Sequence, residues 1–199
     1  KNMDILAEKI HEIREKEAQE LSNKINQELK ELEMKNAKIH VRVEKQEEYN
    51  KEGKDNVAFY IQTNLGEDEK ELSKIASGGE ISRTMLGIKK VLADTDEVPI
   101  LIFDEIDTGI SGKAANSVAQ KLAHIAKKHQ VLCISHLPNI AAMADNNYFI
   151  SKKVENDRTS TGIKLLNEQE VLCEIARISS GDINEVTLKY ASELRSKIA

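Results

Sequence analysis

Residues 100–105 read Ile-Leu-Ile-Phe-Asp-Glu, four apolar residues in a row followed by two adjacent carboxylates. Pro99 precedes the run. A short apolar run bounded by proline and acids reads as a strand buried on both faces, as in a parallel sheet. Open α/β sheets place their ligands at the carboxyl ends of such strands. There Asp104 is suited to hold Mg²⁺, and Glu105 to accept a proton from an attacking water. A strand ending in a solvated acidic turn has the same local sequence, so the neighbouring segments decide.

Residues 76–80, Ala-Ser-Gly-Gly-Glu, open a helical pattern carried by Ile81, Met85, Leu86, Ile88, Val91 and Leu92. Ser77 reads as its N-cap, with Glu80 as capping-box partner. Gly78 and Gly79 in the first turn would bare backbone N–H groups at the positive end of the helix dipole, which suits an anion. Glycine inside a helix costs about 1 kcal/mol relative to alanine, so a pair of them needs a reason beyond capping. Residues 131–136, Val-Leu-Cys-Ile-Ser-His, read as a second buried strand. It ends at His136, a residue able to donate to a phosphate oxygen. Leu137 and Pro138 turn the chain at once.

In this order the three segments resemble the second half of an ATP-binding-cassette ATPase head. Ser77-Gly78-Gly79-Glu80 is similar to its signature motif, Ile100 to Glu105 to its Walker B strand, and His136 to its switch histidine. The Gly-Gly-Glu ending resembles the SMC-like chromosome and repair ATPases more than transporters. Three longer stretches, 72–80, 103–112 and 135–142, resemble the RecN family of bacterial DNA-repair proteins, and the resemblance runs from about residue 1 to the C-terminus. Other SMC-like heads carry a further aspartate in the D-loop after Walker B; here Ser111 stands near that place.

The resemblance implies an α/β fold, the C-terminal lobe of an ABC/SMC-type ATPase head with a coiled-coil stub. It implies ATP and Mg²⁺ as cofactors of the full head, bound between two heads in an ATP-dependent homodimer. Ser77, Gly78, Gly79, Glu80 and Asp107 would contact nucleotide, with the signature residues meeting the γ-phosphate held by the other head. Asp104 would position the metal, Glu105 would orient the attacking water, and His136 would contact the γ-phosphate. DNA double-strand-break repair and recombination, a DNA partner and a nucleoid-associated cytoplasmic location follow from the resemblance alone.

No Gly-x-x-x-x-Gly-Lys-Ser/Thr occurs: Gly112-Lys113 is followed by Ala114, and Gly53-Lys54 by Asp55. The phosphate-cradling loop is missing from this chain. The family resembled carries that Walker A loop in an N-terminal lobe, separated from the second lobe by a long antiparallel coiled coil. With Lys1 first and no initiator methionine, the sequence reads as a C-terminal fragment that is inactive alone. Two alternatives stand beside this: a structural or dimerisation module, and the ATPase subunit of a transporter.

A hydrophobic fraction of 40% suffices for a core, and 32% charged residues suit a soluble protein with a long exposed helix. The net charge of −5 excludes a global positive field drawing the chain to DNA. Cys133 and Cys173 have no metal-ligand company in sequence and read as reduced cytosolic thiols, Cys133 as core. No long uncharged apolar run offers a membrane span.

Within residues 3–35, Leu6, Ile10, Ile13, Ala18, Leu21, Ile25, Leu29 and Leu32 form a helical stripe on a charged background. One narrow stripe needs a partner helix, so residues 1–36 are read as a coiled-coil stub and 37–199 as the lobe. Alternation at Ile39, Val41, Val43 and at Val57, Phe59, Ile61 predicts an antiparallel hairpin around a polar linker, 45–55. Helices are expected over 113–128 and 138–144, and a second hairpin over 147–152 and 162–166. Capping boxes Asn167/Glu170 and Asp182/Glu185 predict two final helices.

Overall fold

The structure, a computed structural model, describes residues 2–75, 78–155 and 158–196. Helix α1 (Asn2–Glu31) runs for 30 residues. It ends where Glu33 takes a left-handed conformation, φ 60°, and Met34 N–H returns to the carbonyl of Leu29. Strands β1 (Lys38–Asn50) and β2 (Gly53–Gln62) form the expected hairpin, pairing Ile39 with Ile61, Val41 with Phe59 and Val43 with Val57. The polar linker is not a loop. The strands continue through it to a tight turn closed by Gly53 at φ 112°, because the free edge of β1 is satisfied by α1. Asn26 exchanges two hydrogen bonds with the backbone of Ile39, and Ser22 accepts the N–H of Val41. Farther out, Lys45 pairs with Glu8 and Tyr49 donates to Asp4. A short strand β3 (Lys70–Glu71) completes this antiparallel sheet.

Helix α2 (Gly79–Leu92) leads to β4 (Ile100–Phe103), α3 (Gly112–Ala126) and β5 (Gln130–Cys133). β4 and β5 pair in parallel, Phe103 opposite Cys133, as a strand–helix–strand unit requires. One face of this pair is core: Leu101 and Phe103 pack with Ile106, Val118, Leu122 and Ile125. The other face corrects the expectation of burial on both sides. Ile102 is 68% exposed and Ile100 48%, since no described element covers them.

The C-terminal half of α1 belongs to the same core. Ile25, Leu29 and Leu32 are buried there, and α2 approaches so closely at Gly87 that a Cβ would meet Leu29 at 3.3 Å. Lys121 of α3, buried, is ion-paired with Glu28 and Glu31 of α1. At the other end Met3, Leu6, Ile10 and Ile13 stay exposed.

Helix α4 (Pro138–Met143) opens on proline, as expected. Strands β6 (Tyr148–Glu155) and β7 (Arg158–Leu165) form the second hairpin, longer than its apolar alternation suggested. Helices α5 (Glu168–Ser180) and α6 (Glu185–Ser196) pack on α4 around Ala142, Val171, Ile175 and Ala191. The Asn167/Glu170 capping box forms in both directions. The second expected box does not. Asn184, not Asp182, accepts the N–H groups of Val186 and Thr187, because the helix starts two residues later than the Asp182 spacing implied.

Candidate functional site at the carboxyl ends of β4 and β5

Asp104 and Glu105 follow β4 directly, and both side chains are exposed. The apolar strand drives its alternate residues into the core and delivers the two acids to the sheet end. Asp104 Oδ1 accepts the N–H of Glu105 at 2.9 Å. Glu105 has φ 56°, a left-handed conformation that costs a non-glycine residue about 1 kcal/mol or more. No glycine or asparagine marks this strained turn, so sequence reading passed over it.

The N-terminus of α2 packs on the same turn. Ser82 Oγ donates to the carbonyl of Asp104 at 2.8 Å. A Cβ on Gly79 would stand 2.9 Å from Thr108 Cβ and 3.0 Å from the Glu105 carbonyl oxygen, so only glycine fits. The N-cap is Gly78, in extended conformation, and Glu80 is the second helical residue, one position too early for the expected capping box. The helix begins two residues after Ser77, which itself lies outside the described residues. Gly78 and Glu80 do reach the same end of the molecule as the two acids.

Arg83, only 6% exposed, is the residue sequence reading missed. Its guanidinium donates from one Nη to the carbonyls of Ile106 at 3.3 Å and Thr108 at 2.8 Å, tying α2 to the loop after β4. Burial pulls its pKa below the ordinary range and Glu80 opposes that shift. Its Nε has no partner among the described residues. The available signal was a charged residue one turn before Gly87, on the buried face of the helix beside Leu86 and Ile88.

Asp107 is buried rather than presented to solvent. Its Oδ2 accepts from Ser135 Oγ at 2.6 Å and from the N–H of His136 at 2.8 Å, and lies 3.0 Å from His136 Nδ1. His136 is largely exposed beside the two acids' strand. Ser111 caps α3 in extended conformation with no side-chain cap bond. Cys133 carries a thiol pushed up to about 12, first by burial and then by Asp107 and Asp104, which makes it a poor nucleophile.

The structure therefore brings together Gly78, Gly79, Glu80, Asp104, Glu105, Asp107 and His136, from three elements distant in sequence. Among the described residues no group of three His, Cys, Asp or Glu side chains could enclose a metal ion. Asp104, exposed and with one oxygen in its own turn, fits a cation that brings phosphate and water ligands of its own, as Mg²⁺ does. No helix among the described residues is long and apolar enough to cross a membrane.

No family model matches the chain. Its sequence is 41% identical over 198 residues to the DNA repair protein RecN of Halalkalibacterium halodurans, covering 97% of this chain and 35% of that protein. It is 39% identical over 210 residues to RecN of Bacillus subtilis, covering 98% and 36%. RecN of Deinococcus radiodurans is 41% identical over 182 residues, covering 91% and 32%. The chain thus spans about a third of the length of these relatives. In fold it is similar to the Smc head domain with coiled coil and joint of Pyrococcus yayanosii, with TM-score 0.55, 18% identity, and coverage of 84% of this chain and 30% of that one. It is also similar to the Pyrococcus furiosus Smc head with an extended coiled coil, with TM-score 0.51, 20% identity, and coverage of 84% and 39%. Sequence and fold agree on what the chain resembles: RecN DNA repair proteins over about a third of their length, and in architecture the C-terminal lobe of SMC-type head domains.

Proposed function

We propose that this chain is one half of a composite ATPase site in an SMC-like protein acting in DNA double-strand-break repair and recombination. The observation that carries the reading is the convergence at one sheet end of Gly78–Glu80, Asp104, Glu105 and His136, held by Ser82 on Asp104, by Gly79 against Glu105 and by Asp107 on His136. An N-terminal lobe carrying Walker A supplies the triphosphate cradle that this sequence lacks. Asp104 would hold Mg²⁺, which would neutralise charge developing on the phosphate. Glu105, exposed at the strand end, orients the attacking water and takes its proton. His136 meets the γ-phosphate. Ser77, Gly78 and Gly79 meet the γ-phosphate bound by a second head, with Gly78 and Gly79 at the positive end of α2, so two heads close around ATP.

Bare apolar surface supports the N-terminal lobe as partner. Ile100, Ile102 and Leu132 are exposed on β4–β5, Ile134 is exposed just after β5, and the cross-strand pairs Tyr148/Leu165 and Ile150/Ile163 are exposed on β6–β7. Apolar patches on this scale mark an interface. The relatives' name supports DNA repair, and the protein's place is then cytoplasmic, at the nucleoid.

Glu105→Gln in the full-length protein tests the assignment, since it removes the proton acceptor at nearly constant size. Hydrolysis should fall by about 10²-fold or more, ATP binding should persist, and ATP-dimerised heads should accumulate. Turnover within a few-fold of wild type would remove Glu105 from the role.

A further inference from the structure

A non-glycine residue at φ 56°, as Glu105 is, keeps that conformation only where its surroundings over-determine it. Around Glu105 the carbonyls of the main chain are fully engaged. Ser82 Oγ donates to the carbonyl of Asp104 at 2.8 Å. Nη1 of Arg83, the next residue of α2, donates to the carbonyls of Ile106 at 3.3 Å and Thr108 at 2.8 Å. The two carbonyls in between are closed within the loop: that of Glu105 accepts the N–H of Thr108, and that of Asp107 accepts the N–H of Ile110. Carbonyls 104, 106 and 108 thus go to α2, and 105 and 107 to the loop itself. Arg83 makes two of the three bonds from α2, is buried, and spends both on this loop. A buried guanidinium is costly to desolvate, and an apolar side chain of similar length would fill the space without that cost. What the apolar side chain lacks is a donor for two carbonyls two residues apart, and a buried carbonyl left unmet is itself costly.

We propose, building on the reading that Glu105 orients the attacking water, that Arg83 is a positioning residue for Glu105. It acts through the main chain of residues 106–108 rather than by touching the nucleotide. The carboxylate goes where its left-handed turn carries it, and a misplacement of about 1 Å at a reacting group costs on the order of 10²-fold in rate. The same bonds join the two halves of the composite site. In that reading Gly78 and Gly79, at the start of α2, face the nucleotide of a second head, while Glu105 faces the nucleotide of its own. Arg83, one turn into α2, makes the glycine turn and the carboxylate turn one piece, so closure on one nucleotide sets the carboxylate at the other.

The test uses the full-length protein carrying Arg83→Met, which fills the space without a donor, and Arg83→Lys, which keeps a charge and donors on a shorter side chain. Hydrolysis, Mg-ATP affinity and Tm are measured on each. Arg83→Met should lower kcat by about tenfold or more with affinity within about threefold, because the triphosphate cradle lies elsewhere. Arg83→Lys should recover part of that loss. A folded Arg83→Met protein with unchanged kcat, or one whose affinity falls as far as its kcat, overturns the positioning role. Hydrogen exchange of the full-length wild type, titrated with a non-hydrolysable ATP analogue, needs no variant to fold. Residues 78–85 and 104–109 should gain protection together, at one nucleotide midpoint; protection of one segment without the other overturns the proposal. Wild-type protein without ATPase activity would overturn the composite-site reading itself, whereas an active wild type matched by Arg83→Met removes only the role of Arg83.

Discussion

A Cβ on Gly79 would press on Thr108 at 2.9 Å, on the Glu105 carbonyl at 3.0 Å and on Arg83 at 3.1 Å, two of them parts of the loop after β4. Gly78, one residue earlier, has open space around it and an extended backbone that any residue adopts. The two glycines, read alike in sequence, therefore have different reasons. Gly79→Ala in this chain should lose about 1–3 kcal/mol and several degrees of Tm, whereas Gly78→Ala should stay within about 0.5 kcal/mol. Thermal melts of both variants check this, and equal effects would refute the close-packing account. The same contrast shows what sequence could reveal. Asp104, Glu105 and His136 were legible because a buried strand that ends in a polar residue leaves few places for that residue to go. The left-handed turn at Glu105 and the pairing of Asp107 with His136, 29 residues apart, were not. Neither backbone strain nor a long-range hydrogen bond leaves a periodic trace in the chain.

Along α1 two faces carry apolar residues. His11, Ala18, Ser22, Ile25 and Leu29 face the hairpin and the lobe, and Met3, Leu6, Ile10 and Ile13 keep a three–four spacing in solvent. We read the exposed seam as the place of a coiled-coil partner helix. Sequence periodicity found the helix and its exposed apolar positions. It merged them with the docking face, because both faces contribute apolar residues to one helical pattern. What it had no means of finding is the polar lock between α1 and the turn of the hairpin. Asp55, its side chain 1% exposed, accepts from Arg14 at 2.9 Å, while His11 Nδ1 lies 2.8 Å from its other oxygen. Burial pushes the Asp55 carboxyl up, but the hydrogen bonds from Arg14 and His11 outweigh it and hold the pKa below the usual carboxylate value. A depressed carboxylate contributes stability above its unfolded pKa, about 4, and loses it as pH falls through the lower folded value. Asp55→Asn should therefore cost about 2 kcal/mol at pH 7, with the gap to wild type closing below about pH 4. Melting both proteins at pH 7 and pH 3 measures the gap; a gap that stays constant or widens on acidification would contradict the lock.

The molecule as a whole is a lobe with the candidate site at one end and uncovered apolar sheet faces beside it. The strand–helix–strand unit was legible because a run such as Ile100–Phe103 has few alternatives. Its one-sided burial was not, since an apolar run cannot tell a face covered within the chain from a face left for a second lobe. Asp104, Glu105 and His136 present chemistry without a cradle for the triphosphate, whose contacts come mostly from a phosphate loop. The most direct test is calorimetric titration of Mg-ATP into this chain and into the full-length protein under identical conditions, with phosphate release followed in both. The composite-site account predicts binding and turnover by the full-length protein and neither by this chain; micromolar binding with steady turnover by this chain alone would contradict it.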